Sequence, residues 1–103
     1  MVEKENLLAE YQNLQEQYKM VIIQKETLKL QLNELDNAFN EIKSTKEDKV
    51  YRIVGNVMVK KNKEDVMKEL EEFRDDLKVK IESLERIEKD LEKRIKELEE
   101  NIK

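Results

Sequence analysis

The sequence has no cysteine, no histidine, no proline and no tryptophan, and its one glycine is Gly55. Lack of cysteine excludes disulfides and thiolate metal sites and leaves the redox compartment open. With no His or Cys and no Gly-rich phosphate loop, no catalytic constellation can be assembled. The chain therefore reads as non-enzymatic, with no cofactor and no metal. Lack of proline removes the usual cause of a helix kink. Aromatics are only 5% of the residues, too few for an ordinary globular core. No stretch approaches the roughly 20 apolar residues of a membrane span, and no apolar run behind Met1–Asn6 is long enough for a signal peptide. The cytoplasm is the expected location.

What the chain does have is charge. Asp, Glu, Lys and Arg make up 45% of its 103 residues, with a net charge of −4 and the two signs interspersed. A binder of nucleic acid needs a basic stripe to displace counterions from phosphates, and the pattern offers none. Acidic neighbours such as Glu71-Glu72 and Asp75-Asp76 point in different directions on a helix, so they read as solvated faces rather than ligand sets. Abundant Glu, Lys and Leu with helical periodicity is the composition of long solvated helices.

Two arms carry that periodicity within a single domain, 1–103. The first helix is predicted over 3–45, with Leu7, Tyr11, Leu14, Tyr18, Val21, Lys25, Leu28, Leu32, Leu35, Phe39 and Ile42 spaced alternately by four and three. That is the seam of a left-handed coiled coil. The second helix is predicted over 63–102, with a seam of Val66, Leu70, Phe73, Leu77, Ile81, Leu84, Ile87, Leu91, Ile95, Leu98 and Ile102 at a spacing nearer a straight helix. Read backwards, the second list falls into step with the first: Leu7 meets Ile102, Leu28 meets Ile81, and Ile42 meets Val66. A chain folded back on itself must match its apolar layers in this way. The fold class is mainly α, an antiparallel two-helix coiled-coil hairpin.

Residues 49–61 between the arms read differently. Val, Ile and Tyr crowd both sides of Gly55-Asn56, and β-branched residues flanking such a pair predict a two-residue β-hairpin. One face carries Val50, Val54, Val57 and Val59, the other Tyr51, Ile53 and Met58. Neither is polar, and an isolated two-stranded hairpin is marginal in water. Val50, Tyr51, Ile53, Val54, Gly55, Val57, Met58 and Val59 are therefore expected to pair with other subunits. The alternative is a hairpin folded down on its own helices. Asn62 reads as the cap of the second helix, with Glu64 and Asp65 favourable in its first turn.

Two features break the simple pattern. Lys25 is the one charge in the first seam and is expected to set register, with its amine reaching toward Glu85 or Glu88. Ile23 and Leu30, seven residues apart, fall opposite the seam, where a solvated helix has no use for them. They read either as a contact surface or as scattered exposure.

The order helix, Val50-Tyr51-Arg52-Ile53-Val54-Gly55-Asn56-Val57-Met58-Val59-Lys60, helix resembles the β-class subunits of the prefoldin family. The family's hinge pattern, Val-Tyr-Lys-x-x-Gly-x-x-hydrophobic-Val-Lys, is matched with Arg52 in place of Lys. Leu84-Glu85-Arg86-Ile87-Glu88 is similar to the family's Leu-x-Arg-Gln-Glu, with Ile87 departing from Gln, and Gln24-Lys25 is similar to a Gln-Lys pair in the first arm. The resemblance implies an ATP-independent holdase that passes unfolded proteins to a group II chaperonin. It also implies a hexamer of two α-class and four β-class subunits whose hairpins join in an oligomeric β-barrel. Client contact is then expected at apolar tips and at the off-seam residues, through Val2, Leu7, Leu8, Tyr11, Ile23, Leu30, Leu98 and Ile102. The alternative function is a structural spacer or tether that needs no client surface.

Overall fold

The computed structural model describes residues 2–102, except for the side chain of Val2. In chain order the elements are α1 (Val2–Ser44), β1 (Lys49–Val54), β2 (Val57–Asn62) and α2 (Lys63–Ile102). The fold is mainly α, two long helices with a short antiparallel hairpin between them. It divides into two compact units, one of Met1–Leu28 with Lys80–Lys103 and one of Lys29–Val79.

In the first unit the helices run antiparallel. As the α1 residues rise from Tyr11 to Tyr18 to Lys25, their bonded partners on α2 fall from Glu99 to Glu92 to Glu88. The seam between them holds Leu98 at 1% exposure and Ile81 at 6%, with Leu7, Leu14, Val21, Leu28, Leu84, Leu91, Ile95 and Ile102 half-buried. At roughly 25 cal/mol per Å² of apolar surface removed from water, this stripe supplies the main attraction between the helices.

In the second unit Phe39 is the buried residue, flanked by half-buried Leu32, Leu35, Ile42, Val66, Leu70 and Leu77. The Arg74 guanidinium lies 4.8 Å from the Phe39 ring centroid and donates through Nη1 to Asp36 Oδ1 at 3.4 Å. Its Nε is buried without a partner.

The second seam differs from the sequence expectation at two places. Phe73 and Ile87 are 54% and 44% exposed, and the sheltered positions next to them are Arg74 and Glu88. With that change the α2 stripe runs 70, 74, 77, 81, 84, 88, 91, 95, 98, 102, alternating four and three just as α1 does. Period, not side-chain polarity, decides which residues face the partner helix. The seam tolerates Arg74 because its planar head stacks on Phe39, and Glu88 because Lys25 answers it.

The connection between the elements follows from local chemistry. Ser44 Oγ and Thr45 Oγ1 both donate to the Glu41 carbonyl, at 2.9 and 3.0 Å, satisfying one of the carbonyls orphaned at the end of α1. Lys63 Nζ donates to the Lys43 and Thr45 carbonyls, so the start of α2 caps the end of α1. The Lys63 amide donates to the Asp48 carbonyl at 2.8 Å. Asn62 spends its side chain on Lys49 and on Asp65 Oδ2.

The strands pair from Lys49↔Asn62 to Val54↔Val57 around a two-residue turn. Gly55 has φ of 61°, and among the described residues no non-glycine residue has positive φ. A positive φ at the first central residue alone is the type II′ pattern, whose twist suits a hairpin.

Candidate functional site

The candidate sites of this chain are surfaces, and the hairpin carries the first of them. In the hairpin, side chains alternate between the two faces of the ribbon. Register places Tyr51 opposite Lys60 and Ile53 opposite Met58 on one face, and Arg52 opposite Val59 and Val54 opposite Val57 on the other. The second face approaches α2 at its base: Arg52 Nη1 and Lys61 Nζ both reach Glu69, at 3.0 and 3.5 Å. Val50 is half-buried there and lines an apolar groove with Ala38, Ile42, Val66, Leu70 and Phe73.

Beyond that base the hairpin has no cover. Tyr51, Val54, Val57 and Met58 are 55–64% exposed, Ile53 is 73% exposed, Gly55 is exposed, and Val59 is 37% exposed. Six large apolar side chains on a 12-residue ribbon with two unpaired edges make a surface that calls for a partner.

Off the hairpin, the residues considered for client contact fall into two groups. Leu8, Ile23 and Leu30 are 41%, 58% and 65% exposed, as is Met20 at 62%. Leu7, Tyr11 and Ile102 are half-buried, and Leu98 is sealed in the seam. The Val2 side chain lies outside the described residues. The sequence reading did not single out Val79, 63% exposed, nor the exposure of Phe73 and Ile87. Strict four-three counting from Leu98 backwards would have found the last two.

The polar atoms in the first unit are matched across the helices. Tyr11 and Tyr18 donate their hydroxyls at 2.8 Å to Glu99 and Glu92. These hydrogen bonds to carboxylates hold both phenols above their ordinary pKa of 10.0. Lys25 Nζ meets Glu88 Oε2 at 2.7 Å, with side chains only 13% and 15% exposed, and that bond raises the amine above its ordinary 10.5. Arg94 joins Glu10 at 2.8 Å, and that hydrogen bond raises its pKa as well. These bonds orient and align the helices.

Among the described residues, no helix is long and apolar enough to cross a membrane. Nor do three His, Cys, Asp or Glu side chains converge as a metal site.

Comparison with known proteins places these surfaces in context. The family model described as prefoldin subunit matches residues 5–103. A prefoldin subunit beta of Archaeoglobus fulgidus is 40% identical over 85 residues, covering 82% of this chain and 73% of the relative. One from Thermococcus kodakarensis is 37% identical over 84 residues, 81% of this chain and 72% of that one. Among solved structures, the crystal structure of the prefoldin beta subunit from Thermococcus strain KS-1 superposes with a TM-score of 0.90 at 36% identity, covering 97% of this chain and 89% of that chain.

Proposed function

This chain belongs to the prefoldin family of chaperone subunits, and we propose that it is a holdase subunit that keeps unfolded proteins from aggregating without ATP. The hairpin joins it to other prefoldin subunits, in a hexamer of two α-class and four β-class chains closed by a shared β-barrel. The complex works in the cytoplasm, performs no covalent chemistry, and passes its clients to a group II chaperonin.

The observation that carries this reading is where apolar side chains remain open. Leu8, Ile23 and Leu30 stand clear of the seam on otherwise charged helices, at 41–65% exposure. Such side chains can hold an unfolded segment by burial alone, which asks for no sequence in the client. Leu7, Tyr11, Leu98 and Ile102 add to this surface toward the helix ends, Leu98 only when the seam opens.

The test is an aggregation assay without ATP on the assembled complex, comparing native chain with the triple variant Leu8→Glu, Ile23→Glu, Leu30→Lys. None of the three is buried, so the particle mass should be unchanged while suppression of aggregation is lost. Full suppression by the variant would sink the client surface and favour a spacer.

A further inference from the structure

Strands β1 and β2 carry Lys49, Arg52, Lys60 and Lys61 and no carboxylate, in a chain whose net charge is −4. The carboxylates that answer them lie on α2. Asp65, Glu69, Glu72 and Asp76 follow at spacings of four, three and four, which sets them along one face of that helix. Lys49, Lys60 and Lys61 border one cleft with Asp65, Glu69 and Glu72, and Arg52 borders another with Glu69, Glu72 and Asp76. Glu69 stands in both clefts and bonds both strands at once. Its Oε2 accepts from Arg52 Nη1 of β1 at 3.0 Å, and its Oε1 from Lys61 Nζ of β2 at 3.5 Å.

Below this point the base of the ribbon is tied through Asn62 to Asp65 and through the Lys63 amide to Asp48. Above it, among the described residues, no hydrogen bond or ion pair from 53–60 reaches a helix. The Arg52–Glu69 bond is the outermost tie, where the held base gives way to the exposed tip. Ion pairs with side chains 32–47% exposed are screened by water and add little to stability. Orientation asks for less. A ribbon free at its tip has many inclinations of nearly equal energy, and a small directional attraction shifts the population to one.

From this arrangement, and resting on the assembly reading above, we propose that Glu69 is a positioning residue that fixes the pitch of the hairpin against α2 in the free chain. A ribbon already held at one pitch loses less freedom when another subunit's hairpin joins it. Assembly is then tighter without any added contact between subunits.

The chain has no cysteine, so spin labels can be confined to cysteines introduced at Asn56 and Val79, or at Asn56 and Asn37. All three positions are exposed, and the two pairs report the turn against α2 and against α1. Distances are measured on the full chain at about 0.1 and 1 M salt, where the screening length is about 10 and 3 Å. The native chain should give a narrow distribution at low salt and a broad one at high salt. Glu69→Gln leaves Arg52 to Glu72 and Asp76, and Arg52→Gln/Lys61→Gln removes both cations. Both should be broad at either salt, by about 5 Å, the displacement that a tilt of about 15° gives the tip of a ribbon about 20 Å long. Their melting temperatures should match the native value, which a merely stabilising role would not allow. Mixed with an α-class prefoldin subunit at low salt, Glu69→Gln should associate about three- to tenfold more weakly than native chain, and the two should converge at 1 M.

Unchanged distances in both variants, a native distribution that ignores salt, or equal association at low salt would each overturn the inference. A native chain that holds one pitch yet joins no other prefoldin subunit would instead sink the assembly reading, with the positioning of the hairpin left standing.

Discussion

Leu98 and Ile53 are both large aliphatic residues in regular secondary structure, yet one is 1% exposed and the other 73%. Leu98 repeats in step with a second helix that matches its period, so its surface is consumed within the chain. Ile53 sits beside the turn of a two-stranded ribbon whose base, not its tip, is held to α2. A helix can satisfy its own backbone and needs only one apolar stripe covered. A strand needs neighbours along both edges as well as a covered face. The seam is therefore finished within one chain, and the hairpin is not.

The largest expected effect follows from that contrast. Leu98→Ala should cost about 2–5 kcal/mol of stability, as large-to-small changes at buried positions do. Ile53→Ala should move the stability of the isolated chain by no more than about 0.5 kcal/mol, as exposed substitutions do. It should nonetheless weaken assembly with other subunits. Denaturant melts and native mass on the two variants separate the effects. Equal destabilisation of the isolated chain by both would mean that the hairpin is covered after all.

Gly55→Ala comes next. A Cβ at this position would meet nothing within 4 Å, so no clash is introduced. The cost is that of φ at 61° for a residue with a Cβ, about 1–2 kcal/mol. Gly55→Asn should be no remedy, because Asn's tolerance of positive φ is for the left-handed helical region and not for the first central position of a type II′ turn, which glycine takes. Because the loss falls on the hairpin, it should appear as weaker assembly, with the helical circular dichroism unchanged. If neither variant weakened assembly, the turn would not depend on its backbone conformation.

How much of this was legible depended on which signal each residue gives. The arms were readable because Leu7 to Ile42 repeat at one period, and the hairpin because Gly55-Asn56 punctuates two runs of β-branched residues. Phe73 and Ile87 were misplaced because they are apolar and stand one position before the polar residues that occupy the seam. No rule based on polarity puts Arg74 there. The ring of Phe39, on the other helix, accounts for it. Likewise Lys25 was recognisable as a seam charge, but its partner was open between Glu85 and Glu88 until the helices were in register. The proposed client surface is less legible still, since the off-seam spacing of Ile23 and Leu30 marks them as exposed but carries no pattern that names a partner.

The Lys25–Glu88 pair sharpens the comparison from inside the seam. Removing one partner leaves the other charge half-buried without an answer, whereas removing both leaves an apolar layer. Lys25→Leu and Glu88→Leu should each lower the melting temperature, and the double variant should recover it or exceed the native value. What the pair provides is alignment, since an all-apolar layer accepts a shifted register more readily. Cysteines introduced at facing positions of α1 and α2 should cross-link in one register in the native chain and in more than one in the double variant. A single register in both would remove the aligning role.

The smallest effect at neutral pH, and the most specific, concerns the two tyrosines. Tyr11 and Tyr18 each donate to a carboxylate at 2.8 Å, so ionisation in the folded state would set a phenolate against Glu99 or Glu92. Their pKa values are raised above 10.0 on folding, mainly by those bonds, and that of Lys25 is raised above 10.5 by its bond to Glu88. A group whose pKa is raised on folding keeps its proton longer in the folded chain than in the unfolded one. The stability it contributes is therefore fully present below the unfolded pKa and is lost as pH rises through the folded pKa. The melting temperature of the native chain should hold steady between about pH 7 and 9 and fall above about pH 10, where unfolded tyrosine and lysine begin to titrate. Tyr11→Phe/Tyr18→Phe keeps the rings in the seam and removes the titrating hydroxyls. It should change the neutral-pH melt little and make the alkaline fall shallower. An equally steep fall in the double variant would mean that these bonds do not hold the seam. The hairpin has no such tyrosine–carboxylate pair among the described residues, and Ile53→Ala should follow the native alkaline profile.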